Sequence, residues 1–328
     1  MNDRAAMTML RLAACLLALA LPAVAAAEDY PARPIRIVVP TAPGGFTDTV
    51  VQLLSERFRS AWGQPAVMEH KAGAGGIVGT DFVAKAAPDG YTLLAGNIGP
   101  IVITPLLQQG KVPYDADRDL VPVKILATFG NVLVVNPAVP AHSLEELIRL
   151  ARARPGTLHF ASAGNGQSQH LSGELFKRLA GVDIVHVPYK GTGPALTDLI
   201  GGQVQMMFSN LPPALPHIEA GKLRPLAVTG PRRAGALPAV PTLEEAGLAG
   251  YQVVSWVALF APAGTPPAIV ARLHAEVTQA LESPAGRQRI AAGNAEPGAG
   301  SAHDLTALVA ADRAKWGKVI REGNIRAE

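Results

Sequence analysis

Two stretches of this chain combine residue types and spacings that could do chemistry. Pro40-Thr41-Ala42-Pro43-Gly44-Gly45-Phe46-Thr47-Asp48 follows an apolar run ending at Val39 and leads into a helical pattern. Gly164-Asn165-Gly166-Gln167-Ser168-Gln169-His170 follows the apolar run Leu158 to Ser162 and leads into another. Glycines let a backbone come close to a ligand, and the first N–H groups of a helix point outward unpaired at the positive end of its dipole, so the chemistry on offer is capture of an anion. Either stretch taken alone is equally an ordinary capped turn, with Asp48 as the N-cap of the first helix.

A second chemistry can be written on the same residues. Ser168 beside His170 could be a nucleophile with its base, and His170 with Glu174 one turn on could face a metal, which would make the protein a secreted hydrolase or metal-dependent enzyme. The sequence carries neither His-Glu-x-x-His nor a Gly-x-Ser-x-Gly elbow, and His142, His159, His186, His217, His274 and His303 are scattered. No residue is therefore assigned a catalytic or metal-ligating role. Gly73-Ala74-Gly75-Gly76-Ile77-Val78 lacks the third glycine of a dinucleotide fingerprint, and no phosphate-loop lysine follows, so no cofactor is expected.

The elements that must position these loops repeat one plan. Ile35 to Val39 reads as a buried strand, and Val50, Val51, Leu54 and Phe58 recur at helical spacing after the first loop. Ala66 to Met68, the Gly73–Gly79 turn, the helix Thr80 to Ala87 and the strand Tyr91 to Ala95 form the next unit. Two apolar runs, Val123 to Ala127 and Val132 to Val135, are split by Thr128-Phe129-Gly130-Asn131, where a first crossing between lobes is expected. Ser143 and Glu146 form a capping box for the helix Leu144 to Ala153. The strand-loop-helix plan then recurs at Leu158 to Leu179. Strands follow at Val182 to Val187, Gln203 to Phe208 and Leu223 to Thr229, with a helix at Ala195 to Ile200. The return crossing is expected near Gln252 to Phe260, with terminal helices Pro266 to Leu281 and Ala302 to Ile320 packing on the first lobe. Strands alternating with helices at this spacing predict an α/β protein of two lobes, each a mainly parallel sheet flanked by helices, with a ligand cleft between them. The boundaries so drawn are 28–127 plus 253–328 for one lobe and 128–252 for the other.

At 328 residues, with 48% hydrophobic and 17% charged, the chain can bury a sizeable core. Its net charge of +3 is scattered, without the basic-aromatic runs of a nucleic-acid groove, so no nucleic-acid partner is expected. Arg4 and Arg11, the apolar stretch Leu12 to Val24 and Ala25-Ala26-Ala27 read as a cleavable secretory signal over residues 1–27. Cys15 is the only cysteine, so the mature chain uses no disulfide.

The order of motifs resembles the Bug-type, or TctC-type, extracytoplasmic solute-binding receptors of tripartite tricarboxylate transporters. The matching segments run along nearly the whole mature chain: Tyr30-Pro31-x-x-Pro34-Ile35, Val38-Val39-Pro40-x-x-x-Gly44-Gly45-x-x-Asp48, Gly73-Ala74-Gly75-Gly76, Pro88-Asp89-Gly90-Tyr91-Thr92-Leu93, Gly164-x-Gly166-x-x-x-His170-Leu171, Val187-Pro188-Tyr189-Lys190-Gly191, Ala227-Val228-Thr229 and Pro241-Thr242-x-x-Glu245-x-Gly247. The resemblance implies a two-lobed periplasmic binding protein fold, a monomer in the periplasm that closes on a carboxylated solute. The solute could be a mono-, di- or tricarboxylate, an amino acid or an aromatic acid. It would be delivered to the membrane subunits of a transporter or to a sensor. It further implies ligand contacts from Ala42, Gly44, Gly45 and Asp48 in the first lobe and Ser162, Gly164, Gly166, Ser168 and His170 in the second, with Asn97, Tyr189 and Ser209 placed by loop position. Asp48 could cap its helix or accept a hydrogen bond from the ligand, and Lys190 could contact ligand or be a solvated loop charge. The chain departs from the pattern at Thr41, where an aromatic is common, and at Phe46, where a small or polar residue is common. Phe46 is thus either a relocated aromatic wall of the pocket or a core residue beneath the turn.

Overall fold

The computed structural model describes residues 30–108, 110–322 and 325, so the signal-peptide reading lies outside the described residues. The run Ile-Arg-Ile-Val-Val forms strand β1 (Ile35–Val39) and is buried except at Arg36. Such a near-continuous apolar strand belongs in a parallel sheet covered on both faces. It pairs in parallel with β2 (Ala66–His70) on one side and β3 (Thr92–Asn97) on the other. Between them lie helix α1 (Phe46–Trp62) and helix α2 (Ile77–Ala84).

Strand β4 (Leu120–Val135) departs from expectation. The two apolar runs and the polar residues between them form one unbroken strand of 16 residues. The interruption in the apolar pattern does not end the strand, because every part of it finds a ladder. After helix α3 (Leu144–Ala153) come β5 (His159–Ser162), α4 (Ser168–Ala180), β6 (Val185–Pro188), α5 (Thr192–Ile200), β7 (Met206–Asn210), α6 (Leu211–Glu219) and β8 (Arg224–Val228). Strand β9 (Val254–Pro262), α7 (Pro267–Glu282), α8 (Pro284–Ala292), β10 (Ala295–Pro297) and α9 (Ala302–Glu322) complete the order.

From Leu120 to Gly130, β4 pairs antiparallel with β9, and β10 adds to its other side around Phe129. From Asn131 to Val135 its partners are β7 and β8 instead. The pairing therefore changes lobes between Gly130 and Asn131, inside a strand. The return is equally abrupt: Val253 N–H donates to Thr229 O on the second-lobe side, and Val254 begins the ladder with Gly130. Gly130 passes so close to Gly230 that a Cβ on it would sit 3.2 Å from the Gly230 nitrogen. Parallel pairs β5–β6 and β5–β7 build the second-lobe sheet, so parallel pairing is confined to the strands that feed the loops, and the crossing strands run antiparallel.

The first lobe's core holds Ile37, Val39, Phe46, Leu54, Phe58 and Leu273, and α7 and α8 pack back on it. A second core runs through both sheets, from Val38 and Leu94 to Phe160, Phe208 and Trp316, with α9 closing it. Trp256 donates to Asp312 at 2.7 Å, tying β9 to α9. The capping box at α3 is as expected, Ser143 accepting from Glu146 N–H, while the Glu146 carboxylate reaches His142 N–H at 2.6 Å. Helix α6 was not expected, since Pro212, Pro213 and Pro216 mask it; the first two sit in the first turn, where no N–H is needed.

Candidate functional site

Four helices begin at one small cavity between the sheets. Its lining is Gly45 and Thr47 from the start of α1, Gln167, Ser168 and Gln169 from α4, Thr192 from α5 and Asn210 from α6, together with Thr41, Asn97, Phe129, Ala163 and Ser255. None of these side chains is charged. Each helix start is free of a side-chain cap, its N-cap being Gly45, Gln167, Gly191 or Asn210, so the first-turn N–H groups that are present remain for something else: all of them in α1 and α4, fewer in α5 and α6, where Pro194, Pro212 and Pro213 carry none. The convergence follows from topology: β1, β5, β6 and β7 are each followed in the chain by one of these four helices.

The polar side chains are oriented by their own partners. Gln169 Oε1 accepts from Ala163 N–H at 3.1 Å, so its amide NH2 turns to Thr192 Oγ1 and Asn210 Oδ1, at 3.1 and 3.4 Å. Thr192 Oγ1 accepts there and has its hydroxyl proton left to give. Asn210 donates to Asn131 Oδ1 at 2.8 Å, and Asn131 donates to Ser172 at 3.2 Å. Asn97 Oδ1 accepts from Gly99 N–H at 2.9 Å, leaving its NH2 to point elsewhere. The result is a shell of donors without a countercharge, fit for an anion and poorly suited to a cation.

The lobes meet directly around this cavity. Ala42 N–H donates to Lys190 O at 2.9 Å, and Gln167 donates to Gly75 O at 2.9 Å. Gly75, at φ +66°, lies where a Cβ would stand 2.2 Å from Asn165 O, and a Cβ on Gly191 would meet Ala42 at 2.9 Å. These contacts require glycine on either side of the seam. Outside the seam a second cavity of about 340 Å³ is lined by Thr41, Gly73 to Gly76, Gln108, Ala163 to Asn165 and Pro188 to Lys190.

Of the expected site residues, Gly45, Asn97 and Ser168 line the inner cavity, and Gly164 and Tyr189 line the outer one. Ala42 and Gly44 form the seam, Gly44 lying 3.4 Å in Cβ terms from Gly193. Asp48 is not the N-cap. It sits in the first turn of α1 and reaches back to accept from Gly44 N–H at 2.8 Å, with His70 Nε2 3.7 Å away. Burial raises its pKa above the usual carboxylate value, with the Gly44 N–H and His70 opposing. Of the two readings of Phe46, wall or core, the structure places it in the core. It is 1% exposed and packs edge-on against Phe129 at 5.0 Å, because it opens the buried face of α1.

Ser162, Gly166 and His170 stand behind the cavity and hold its loop. Ser162 Oγ lies 2.6 Å from His186 Nε2 and accepts from Gly164 N–H at 3.1 Å. Gly166 N–H donates to His170 Nδ1 at 3.2 Å, and the His170 and His186 rings stack at 4.1 Å. Burial pushes His170 down to about 4, and burial followed by the His170 and Lys177 charges pushes His186 down to about 2, so both are neutral bases of support at neutral pH. Glu174 pairs with Lys177 at 3.2 Å, and the His170 ring is engaged by Gly166 N–H and His186. Ser209 is fully buried and donates to Asn210 O at 3.0 Å; its neighbour Asn210 is the one that faces the cavity. Tyr189 donates to Asp198 at 2.7 Å; burial first, then Asp198, raises it to about 12.

Sequence reading missed Thr47, Phe129, Ala163, Gln167, Gln169, Thr192, Asn210 and Ser255 as cavity residues. Thr47, Gln167 and Gln169 lay inside the stretches already singled out. Phe129 and Ser255 lie on the crossing strands, which the sequence marks as crossings but not as cavity wall. Among the described residues there is no cluster of metal-ligating side chains and no helix long and apolar enough to cross a membrane.

A two-lobed α/β protein whose crossing strands floor a ligand cleft has the architecture of the periplasmic binding proteins. Residues 34–325 match the tripartite tricarboxylate transporter family receptor (TctC), and the chain belongs to that family. Protein BugT of Bordetella pertussis is 40% identical over 296 residues, covering 90% of this chain and 91% of BugT. The structure of R. palustris Rpa4515 with adipate is 39% identical, covers 91% of this chain and 99% of that one, and superposes with a TM-score of 0.88. MatC (Rpa3494) of Rhodopseudomonas palustris with bound malate is 36% identical, with 89% and 100% covered and a TM-score of 0.84. The family consists of solute-binding receptors, and its members are linked to tripartite transporters.

Proposed function

We propose that the protein is a periplasmic receptor that closes its two lobes over a carboxylate of a small aliphatic acid and hands the loaded form to a tripartite tricarboxylate transporter. The observation that carries this reading is the convergence of four helix N-termini, from both lobes, on a cavity without a charged side chain. A carboxylate there gains about 0.3–1 kcal/mol from each dipole, up to ~2 where partly buried. Charge-assisted hydrogen bonds add about 1.5–3 kcal/mol each. Such a sum reaches the ~8 kcal/mol of a micromolar complex after ordering costs, with no arginine in the cavity. The adipate and malate of the two neighbours favour a dicarboxylate. In this reading residues 1–27 direct export and are removed, the two lobes move about the changes of pairing at Gly130/Asn131 and Val253/Val254, slightly beyond the 127/128 and 252/253 boundaries drawn from the sequence, and the receptor acts as a monomer.

Calorimetry with succinate, malate and adipate, each set against its uncharged diamide, tests the proposal. Binding of at least one diacid and none of the diamides is expected. Equal binding of acid and diamide, or of neither, overturns it, and consumption of the acid during incubation would replace a receptor by an enzyme.

A further inference from the structure

Phe129 is the one large apolar side chain on the inner cavity, whose other walls are glycine, alanine and polar residues. We propose that Phe129 is the specificity-determining residue that limits the length of the solute's carbon skeleton, an inference that rests on the carboxylate reading above. Once the carboxylate is taken by the helix starts, Phe129 is the surface left for the methylene part of the ligand.

The ring is fixed in place. Phe46 packs edge-on against it, and Phe46 is in turn held against Gly293, where a Cβ would come within 2.9 Å of the Phe46 ring. Phe129 itself is 7% exposed and paired in the ladder to Ala295 and Ser255. A ring clamped this way acts as a stop, since moving it would disturb the core of the first lobe.

Space lies beyond the stop. The inner cavity amounts to about 30 Å³, whereas a second cavity of about 490 Å³, on the crossing-strand side of the molecule, is also lined by Phe129. Phe129 is the residue the two cavities share, so it stands between them. In the other direction the seam closes the inner cavity through the Ala42–Lys190 and Gln167–Gly75 hydrogen bonds, and a longer solute extending that way would have to break them. The far cavity is lined by Arg232, Arg233 and Glu296, with Arg232 paired to Glu296 and Arg233 to Glu245, so the distal carboxylate of a long diacid passing the stop would have to compete with these carboxylates for the two guanidinium groups.

The test is calorimetric titration of wild type, Phe129→Ala and Phe129→Leu with straight-chain diacids from succinate to sebacate, with thermal melting to establish that each variant is folded. Each methylene gained or lost in an apolar pocket changes affinity by about tenfold or more. Phe129→Ala is expected to move the preferred diacid to a longer one, improving the ratio of long to short by about tenfold or more. Phe129→Leu, which keeps the core filled, should move it less. If the variants bind diacids with the wild-type order of preference, the length stop is overturned while the carboxylate reading stands. If wild type binds no diacid at all, the carboxylate reading fails and takes the stop with it. Should Phe129→Ala not fold, Phe129→Leu decides, and an unchanged preference in that folded variant counts against the proposal.

Discussion

Across the cleft, the loop after β1 is held by a carboxylate and the loop after β5 by imidazole and hydroxyl groups. Asp48 grips Gly44 N–H in the first, in a half-buried setting beside His70. In the second, Ser162 grips Gly164 and His170 grips Gly166, with His186 stacked behind, all of them buried. The two stretches are similar in sequence plan yet differ in electrostatics. Asp48 sets a negative charge against the dipole of α1, spending part of it, whereas the neutral supports of α4 leave its dipole to the ligand. The second lobe should therefore be the stronger carboxylate binder, and the first the more adjustable.

The largest effect expected concerns the anchor of the first loop. Phe46→Ala should cost about 3–5 kcal/mol of stability, as emptying a buried aromatic site does, and be read as a lowered melting temperature. A ligand profile that changes while stability does not would return Phe46 to the pocket.

Next comes the pH response of the second loop. His170 and His186 have native pKa values below 6.5, so as pH falls the unfolded chain takes up protons before the folded one. Stability is full well above pH 6.5 and is lost on going down towards pH 4 for His170 and towards pH 2 for His186, at about 1.5–2 kcal/mol per histidine by pH 5. Urea unfolding at pH 7 and pH 5 should show this, and His170→Gln should remove its share of the slope. A slope equal in wild type and variant would mean that His170 is charged in the folded state.

Smaller still is Ser162→Ala, which leaves the buried His186 Nε2 and Gly164 N–H without their partner for about 1–3 kcal/mol. Chemical denaturation measures it, and a neutral result would mean that the loop relaxes to satisfy both groups. Asp48→Asn stands last. It keeps an acceptor for Gly44 but drops the charge, and should tighten diacid binding by about twofold to fivefold, in line with one exposed dipole interaction. Weaker binding would instead mean that Asp48 touches the solute.

Much of the scaffold was legible in the sequence. The apolar run Ile35 to Val39, the two glycine stretches and the box at Ser143 and Glu146 are local signals, and local backbone preference decides them. The crossings were legible only as polar interruptions. Thr128 to Asn131 break the apolar pattern, and yet the strand continues, because β9 and β10 pair one half and β7 and β8 the other. Asn131 is buried and satisfied only by residues far along the chain, Thr229, Ser172 and Asn210. No window of sequence contains that information.

What the sequence by itself determined is that helices start at glycine-rich turns after buried strands, and hence that backbone N–H groups are left for an anion. Only the tertiary structure decided that three such starts share one cavity with the start of α6, that Phe46 lies in the core while Phe129 takes the wall, and that Asp48 serves its own loop. The reason is physical: capping and strand formation depend on neighbours a few residues away, whereas a cleft is built by strand order and by which side chains meet across it, and both are set by packing between distant segments.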